Sequence, residues 1–285
     1  MVLLNNKLQN QPEGEILRNS ESFGVRRISG EEIIDTEALV VRELPLTIIL
    51  NDEELVTLLC SPEDMEYLAV GFLLSEGLIN GKDDIKRITV DDQRGVVRVN
   101  TRGSIESTGD MIFKRIISSG CGRGASLYST ADTANQKVNS RIKISADEVF
   151  SLVKKFQHNS DLYQATHGVH SAALCDKKEI LVFGEDIGRH NAIDKIFGKC
   201  LLEEIVTKNR VVITTGRITS EILHKVAKRG IPILISISAP TNLGISIADA
   251  LGITLIALVR GKKMNVYTVN QRLDIDGKRA EKLHR

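Results

Sequence analysis

The chain has 285 residues, 42% hydrophobic and 26% charged, enough for a substantial core in one large domain or two smaller ones. Thirty-eight Lys and Arg balance 37 Asp and Glu, and aromatics are 4% with no Trp, which argues against a global attraction to nucleic acid or an anionic membrane and against a base-stacking platform. No apolar run is long enough to span a bilayer, the N-terminus has no sustained apolar segment of a secretory signal, and the four cysteines form no CxxC pair. A reducing cytoplasm without a disulfide framework or structural zinc fits that usage.

Residues 1–20 are polar and read as a mobile tail. Glu37–Arg42, Pro45–Leu50 and Leu55–Cys60 are β-rich, with a turn at Asn51-Asp52-Glu53. Ser61-Pro62-Glu63-Asp64 reads as a helix start, with Ser61 as the cap and Pro62 at the first helical position. The helix carries Met65, Leu68, Ala69, Phe72 and Leu73 on one stripe and stops at Gly77. Ile85–Val90 and Val96–Asn100 read as strands around a polar turn at 91–95. The run 118–126, Ser-Ser-Gly-Cys-Gly-Arg-Gly-Ala-Ser, holds no regular element. Ser145 followed by Glu148 is a capping box.

From there the pattern alternates. A hairpin is expected over Ser171–Cys175 and Ile180–Phe183, then a helix over Asn191–Glu204. The strand Val211–Thr214, the helix Thr219–Lys228 and the strand Ile231–Ile237 follow, and then a helix near Gly244–Leu251 and the strand Ile253–Val259. Apolar strands separated by helices predict a buried, largely parallel sheet covered on both faces.

Four groups of residues carry chemistry. Cys121 is flanked by Gly120, Gly122 and Gly124, with Arg123, Lys114 and Arg115 nearby. Glycines give a loop reach, and cations favour the thiolate, so this cysteine suits a persulfide carrier or, equally, a small residue of the loop. Cys60, Cys175 and Cys200 lie on apolar strands or a helix and read as packing. The second group is Glu185-Asp186-Ile187-Gly188-Arg189-His190-Asn191-Ala192-Ile193-Asp194-Lys195, where an apolar strand meets a helix. Its helix start and Arg189 suit a phosphate, and Asp186 suits the N1 and N2 protons of a guanine. The plainer alternative is a helix cap by Asn191 or Asp186 with Lys195 exposed.

The third group is Thr214-Thr215-Gly216-Arg217-Ile218-Thr219-Ser220-Glu221 together with Ser238-Ala239-Pro240-Thr241-Asn242. Both follow apolar strands, so all these turns are expected along one sheet edge. Capping by Thr219 and by Thr241 or Asn242 would explain the hydroxyls but not Arg217. The fourth is Arg260-Gly261-Lys262-Lys263, which suits a pyrophosphate or, equally, a solvated turn. His170 is a polar group for the same pocket; with His167 it lacks a third ligand, so no metal is expected.

Taken together, these segments resemble the formate dehydrogenase accessory sulfurtransferases, the FdhD family. The resemblance rests on the 185–195 run and on the Gly-Arg, Ser-Ala-Pro-Thr and Tyr267-Thr268 segments in that order. Upstream it rests on Leu68-Ala69-Val70-Gly71-Phe72-Leu73-Leu74-Ser75-Glu76-Gly77, and it spans roughly 22–273. It implies an α/β fold with a cytidine-deaminase-like three-layer core at 144–273. A smaller N-terminal α+β part at 21–143 would carry the Cys121 loop, between a flexible tail at 1–20 and a charged tail at 274–285.

The resemblance further implies a cytoplasmic homodimer that accepts sulfur from a cysteine desulfurase as a persulfide on Cys121. The sulfur then passes to the molybdenum cofactor in its bis-guanine-dinucleotide form, for formate dehydrogenase. Leu258, Val259, Arg260, Gly261, Lys262 and Lys263 would contact that cofactor. Asp186, Arg189, His190, Asn191, Gly216, Arg217 and His170 would help to bind its guanine nucleotide, which GDP partly mimics. No metal of its own, no nucleic acid and no membrane are implied.

Two departures stand out. In the family this chain resembles, many members carry Cys-Gly-x-Cys-Gly where this chain has Cys121-Gly122-Arg123-Gly124, and members tend to carry Thr-Gly-Gly-x-His where His167 here replaces the first glycine. H-x-E and P-C-x-x-C are missing, so zinc deaminase chemistry is not expected. The competing readings are a cofactor-binding chaperone with Cys121 dispensable and a nucleotide hydrolase using the Asp186–His190 cluster.

Overall fold

The computed structural model describes residue 16, residues 18–103 and residues 137–274. Cys121 and the rest of its glycine-rich run lie outside the described residues.

Strands β1 (Ser20–Ser29) and β2 (Glu32–Val41) pair as an antiparallel ribbon. Only the second half of β2 is legible from sequence, because both strands are largely solvated and show no core-facing alternation. The chain just before the ribbon is held. Asn19 is 2% exposed, its Nδ2 donates to Glu63 at 2.7 Å, and its carbonyl accepts from the Arg42 amide at 2.7 Å. The expectation of a mobile tail is therefore corrected at residues 19 and 20; residues 1–15 lie outside the described part.

A four-stranded sheet follows, from β3 (Leu44–Leu50), β4 (Glu53–Cys60), β5 (Ile85–Asp91) and β6 (Val96–Thr101), in the order β4-β3-β6-β5. Leu46, Ile48, Val97 and Val99 point from it into the core under helix α1 (Met65–Glu76). That helix starts three residues later than the Ser-Pro-Glu-Asp signal predicts. Asp64 at its cap has φ 59° and makes no capping bond. The Ser61 hydroxyl that would have capped it is engaged elsewhere, as described below. Gly77 ends the helix at φ 78°, a left-handed conformation that glycine adopts without strain.

The second half begins with β7 (Ile144–Ser145), α2 (Ala146–Gln157) and α3 (Asp161–Thr166). The expected capping box is present: the Ser145 amide donates to Glu148 at 2.7 Å, and the Glu148 amide to Ser145 Oγ at 3.2 Å. Then come β8 (His170–Cys175), β9 (Ile180–Asp186), α4 (Arg189–Leu202), β10 (Val211–Thr214), α5 (Ser220–Lys228), β11 (Ile233–Ser236), α6 (Asn242–Ala250), β12 (Thr254–Arg260), β13 (Lys263–Val266) and β14 (Leu273–Asp274). Six of these strands form one sheet in the order β13-β12-β11-β10-β8-β9.

Only β10, β11 and β12 run parallel; the other pairings are antiparallel. The expectation of a largely parallel sheet is thus narrowed to its centre. The reason is connection length: tight turns join β8 to β9 and β12 to β13, and a tight turn can join only antiparallel strands.

Strand alternation divides the core. Val211, Ile213, Ile233, Ile235 and Ile256 pack on one face against Val149, Leu152 and Phe156 of α2. Val212, Leu234 and Leu255 face the opposite side, against α4 and α5. This second cluster continues without a break into α1 and the four-stranded sheet, so the two sheets share one core. Glycine permits the join. A Cβ on Gly71 would lie 1.8 Å from the Asp194 carbonyl oxygen, and one on Gly198 would lie 1.9 Å from that of Tyr67. Helices α1 and α4 therefore cross with their backbones in contact.

Candidate functional site at the strand-end edge

The pairing register brings the polar turns together. His170 at the start of β8 lies opposite Asp186 at the end of β9, and the next strand in the sheet, β10, ends at Thr214 opposite Ala172. Because β10, β11 and β12 are parallel, the turns at 215–219, 237–241 and 258–262 all emerge at that same edge. Helix α4 begins there as well, behind Gly188. Ligand sites commonly lie in such crevices.

Asp186 sits beneath this edge rather than on it. It is 0% exposed, and both its oxygens are occupied. Oδ1 accepts from the Gly188 amide at 2.9 Å and Asn191 Nδ2 at 2.8 Å. Oδ2 accepts from the Ser61 amide at 3.1 Å, Ser61 Oγ at 3.2 Å and Lys195 Nζ at 2.8 Å. A guanine edge cannot reach a carboxylate so enclosed, so the expected direct contact is corrected to a supporting one. Lys195, expected at the surface in the plainer alternative, is 1% exposed and also donates to Ser61 Oγ at 2.8 Å and the Glu185 carbonyl at 2.9 Å. Asn191 likewise spends its amide on Asp186 and on the Leu59 carbonyl at 2.9 Å.

Arg189 and His190, in the first turn of α4, are half-buried. Gly216 makes room for the Arg189 stem, since a Cβ there would lie 2.8 Å from Arg189 Cβ. His190 Nε2 lies 2.9 Å from Glu221 Oε2 on α5. His170 Nδ1 lies 3.1 Å from Thr215 Oγ1, which also accepts from the Ser171 amide at 3.0 Å. Burial first, and then the charges of Arg189 and His190, hold the His170 imidazole below its ordinary 6.5. Burial also holds His190 below that value, against the opposing pull of Glu221. Both rings are therefore neutral hydrogen-bonding groups near pH 7, and the positive charge of the edge comes from arginine and lysine.

Arg217, Arg260, Lys262 and Lys263 are exposed along the edge. Leu258 is half-buried at φ 55°, with its amide on the Ser238 carbonyl at 3.2 Å, where the β12–β13 pairing breaks register. Val259, expected among the ligand contacts, is 0% exposed and packs in the core against α2, so its side chain does not face the edge. The Thr214 hydroxyl is used internally, on the Ser171 carbonyl at 3.1 Å. Thr241 caps α6, accepting from the Gly244 amide at 3.1 Å, whereas Thr219 makes no capping bond.

His167 ends α3 at φ 53° with its ring edge-on to Tyr163, so it adopts there a conformation that glycine favours. Among the described residues no group of three His, Cys, Asp or Glu side chains is placed to hold a metal. Thr215 and Glu221, named within the third polar run, contact His170 and His190, whereas Ser61, read from sequence as a helix cap, is a contributor that sequence reading missed. Ser61 lies more than a hundred residues from its partners, and no local pattern marks it.

The remaining cysteines are inert. Cys60, Cys175 and Cys200 are buried, and burial pushes each thiol up to about 12. At that value the reactive thiolate is scarce at physiological pH. Among the described residues no helix is long and apolar enough to cross a membrane.

A sequence profile of the FdhD/NarQ family matches residues 41–274. A sulfur carrier protein FdhD from Bacillus pumilus is 46% identical over 235 residues, covering 82% of this chain and 90% of that protein. The Bacillus subtilis sulfur carrier protein FdhD is 44% identical over 250 residues, covering 87% and 95%. The crystal structure of a protein from Desulfotalea psychrophila, assigned as a formate dehydrogenase accessory protein, superposes with a TM-score of 0.74. It is 30% identical and covers 90% of this chain and 99% of that one. With a profile match over most of its length and relatives at this identity, the chain belongs to the FdhD/NarQ family.

Proposed function

We propose that the protein is a sulfur carrier for formate dehydrogenase, with Cys121 as its working nucleophile. The observation that carries this reading is the burial of the other three cysteines, whose thiols stand at about 12. In a family whose relatives are named sulfur carriers, that leaves Cys121, among glycines and cations, as the thiol suited to the work. The Cys121 thiolate attacks the outer sulfur of a persulfide on a cysteine desulfurase. A new S–S bond forms on Cys121, the donor's S–S bond breaks, and the donor cysteine leaves as a thiolate, with no net oxidation. Cys121 has no second cysteine within its glycine-rich run, where Gly124 follows Arg123, so in this proposal the persulfide is carried by a single residue.

The acceptor in this proposal is the molybdenum cofactor in bis-guanine-dinucleotide form, held as substrate across the strand-end edge. Arg189, Arg217, Arg260, Lys262 and Lys263 match its phosphates in charge, and Arg189 offers a planar fork for bidentate contact. His170 and His190 supply neutral polar contacts. A cytidine-deaminase-like core, a homodimer and a cytoplasmic setting belong to the same reading.

Incubation with a cysteine desulfurase and free cysteine should add one sulfur atom to the intact mass, mapped to the Cys121 peptide. Formate dehydrogenase activation should be lost in Cys121→Ser. Full activation by that variant would leave the protein as a cofactor-binding chaperone.

A further inference from the structure

We infer that Ser61, at the end of β4, is the positioning residue of the ligand-binding turn, and this rests on the reading of the strand-end edge as a nucleotide site. Two residues at the end of β4 and its exit, Leu59 and Ser61, contact the 186–191 turn. The Leu59 carbonyl accepts from Asn191, and the Ser61 amide and hydroxyl both reach Asp186 Oδ2. Through its other oxygen Asp186 holds the Gly188 amide and Asn191, the groups that set how α4 begins. The position of that turn fixes Arg189, whose stem is wedged against Gly216. Contacts therefore run from the four-stranded sheet, through a buried carboxylate, to an arginine at the edge.

The Ser61 hydroxyl has a part no other group at this place shares. It donates to Asp186 and accepts from Lys195 at 2.8 Å, so it sits between the two members of a buried ion pair and fixes where they meet. Ser61 is 2% exposed and its amide and hydroxyl both reach Asp186, so its action is through that carboxylate. This also accounts for the late start of α1. A serine committed to Asp186 cannot cap that helix, and Asp64 takes the cap position at positive φ without a capping bond.

A second buried pair supplies the control. Ser75 Oγ donates to Asp194 at 2.6 Å, and Asp194 pairs with Lys225 at 2.5 Å. It is likewise a buried Ser–Asp–Lys cluster, though Ser75 meets only the carboxylate, and it supports the middle of α4 rather than its first turn.

The test compares wild type, Ser61→Ala, Ser61→Thr and Ser75→Ala at a temperature where circular dichroism shows each folded. GDP is the probe, by calorimetry, and amide hydrogen exchange is followed in the peptide covering 186–192. Ser61→Ala is expected to weaken GDP binding by about tenfold, the equivalent of one charge-assisted hydrogen bond. It should also speed exchange in that peptide, while Ser61→Thr restores both. Ser75→Ala should lower the melting temperature with GDP affinity unchanged. Wild-type affinity and exchange in Ser61→Ala would overturn the inference, as would an equal loss of GDP affinity in Ser75→Ala. If wild type does not bind GDP, the nucleotide reading fails. The exchange comparison then decides the positioning role alone: faster exchange in Ser61→Ala but not in Ser75→Ala supports it, and no difference overturns it.

Discussion

Gly216 lies directly against the side chain of Arg189: a Cβ at 216 would come within 2.8 Å of Arg189 Cβ and 3.2 Å of its Cδ. The glycine belongs to the turn after β10 and the arginine to the first turn of α4, so two strand-end turns interlock at one point. In Gly216→Ala the arginine has to move off its present path. We expect GDP affinity to fall about tenfold, with a stability loss of about 1–3 kcal/mol from overpacking. Calorimetry with GDP, alongside urea unfolding, checks both. Arg189→Ala should show a similar affinity loss, and unchanged binding in either variant would remove Arg189 from the site.

Thiol labelling tests the division among the cysteines. With thiols at about 12, Cys60, Cys175 and Cys200 have roughly one thiolate in ten thousand at pH 8, and burial shields them further. Native protein treated briefly with iodoacetamide at that pH should gain one adduct, on Cys121. Denatured protein should gain four. Equal labelling of a second cysteine in the native state would contradict the buried assignment.

The two imidazoles predict a pH dependence of stability. His170 and His190 titrate below 6.5 in the folded protein, so between their folded values and 6.5 the unfolded chain binds more protons. Stability is therefore fully present above 6.5 and is lost as pH falls from there through the folded values. Urea midpoints measured between pH 7.5 and about 5 should decline with falling pH. His170→Gln should make that decline shallower, and an unchanged slope would show that His170 is not the group responsible.

Lys195→Met removes the counter-ion of a carboxylate that is 0% exposed. A buried charge left without its partner costs about 3–5 kcal/mol. The double variant Asp186→Asn with Lys195→Met should recover part of that loss, because no charge is then stranded. Urea unfolding of the two single variants and the double gives the coupling directly. Simple additivity would mean that the pair does not interact as its 2.8 Å separation implies.

The elements legible in sequence are those whose signal is local. The Ser145–Glu148 capping box, the stop at Gly77 and the β8–β9 hairpin depend on residues close together in the chain, and each appears where its pattern places it. The convergence of the turns at 186–191, 215–219 and 237–241 was also legible, and the structure adds the turn at 258–262 to the same edge. It follows from apolar strands that each lead into a polar turn, and the pairing places them at one edge. β1 and the first half of β2 escaped notice because both strands are largely exposed, and without a buried face there is no alternation to read.

Composition, cysteine placement and motif order were enough to mark Cys121 and the strand-end turns and to point to the family. Such properties are local, or depend only on order along the chain. Which of the marked residues face outward was a tertiary matter. In a polar run Asp186 reads as a ligand group and Lys195 as a solvated charge, yet both are enclosed because Ser61 arrives from a different sheet to meet them. Val259 continues a strand into the core while Arg260, one residue on, is exposed. Burial is set by what packs against a residue from elsewhere in the chain, and for this site the deciding neighbours lie more than a hundred positions away.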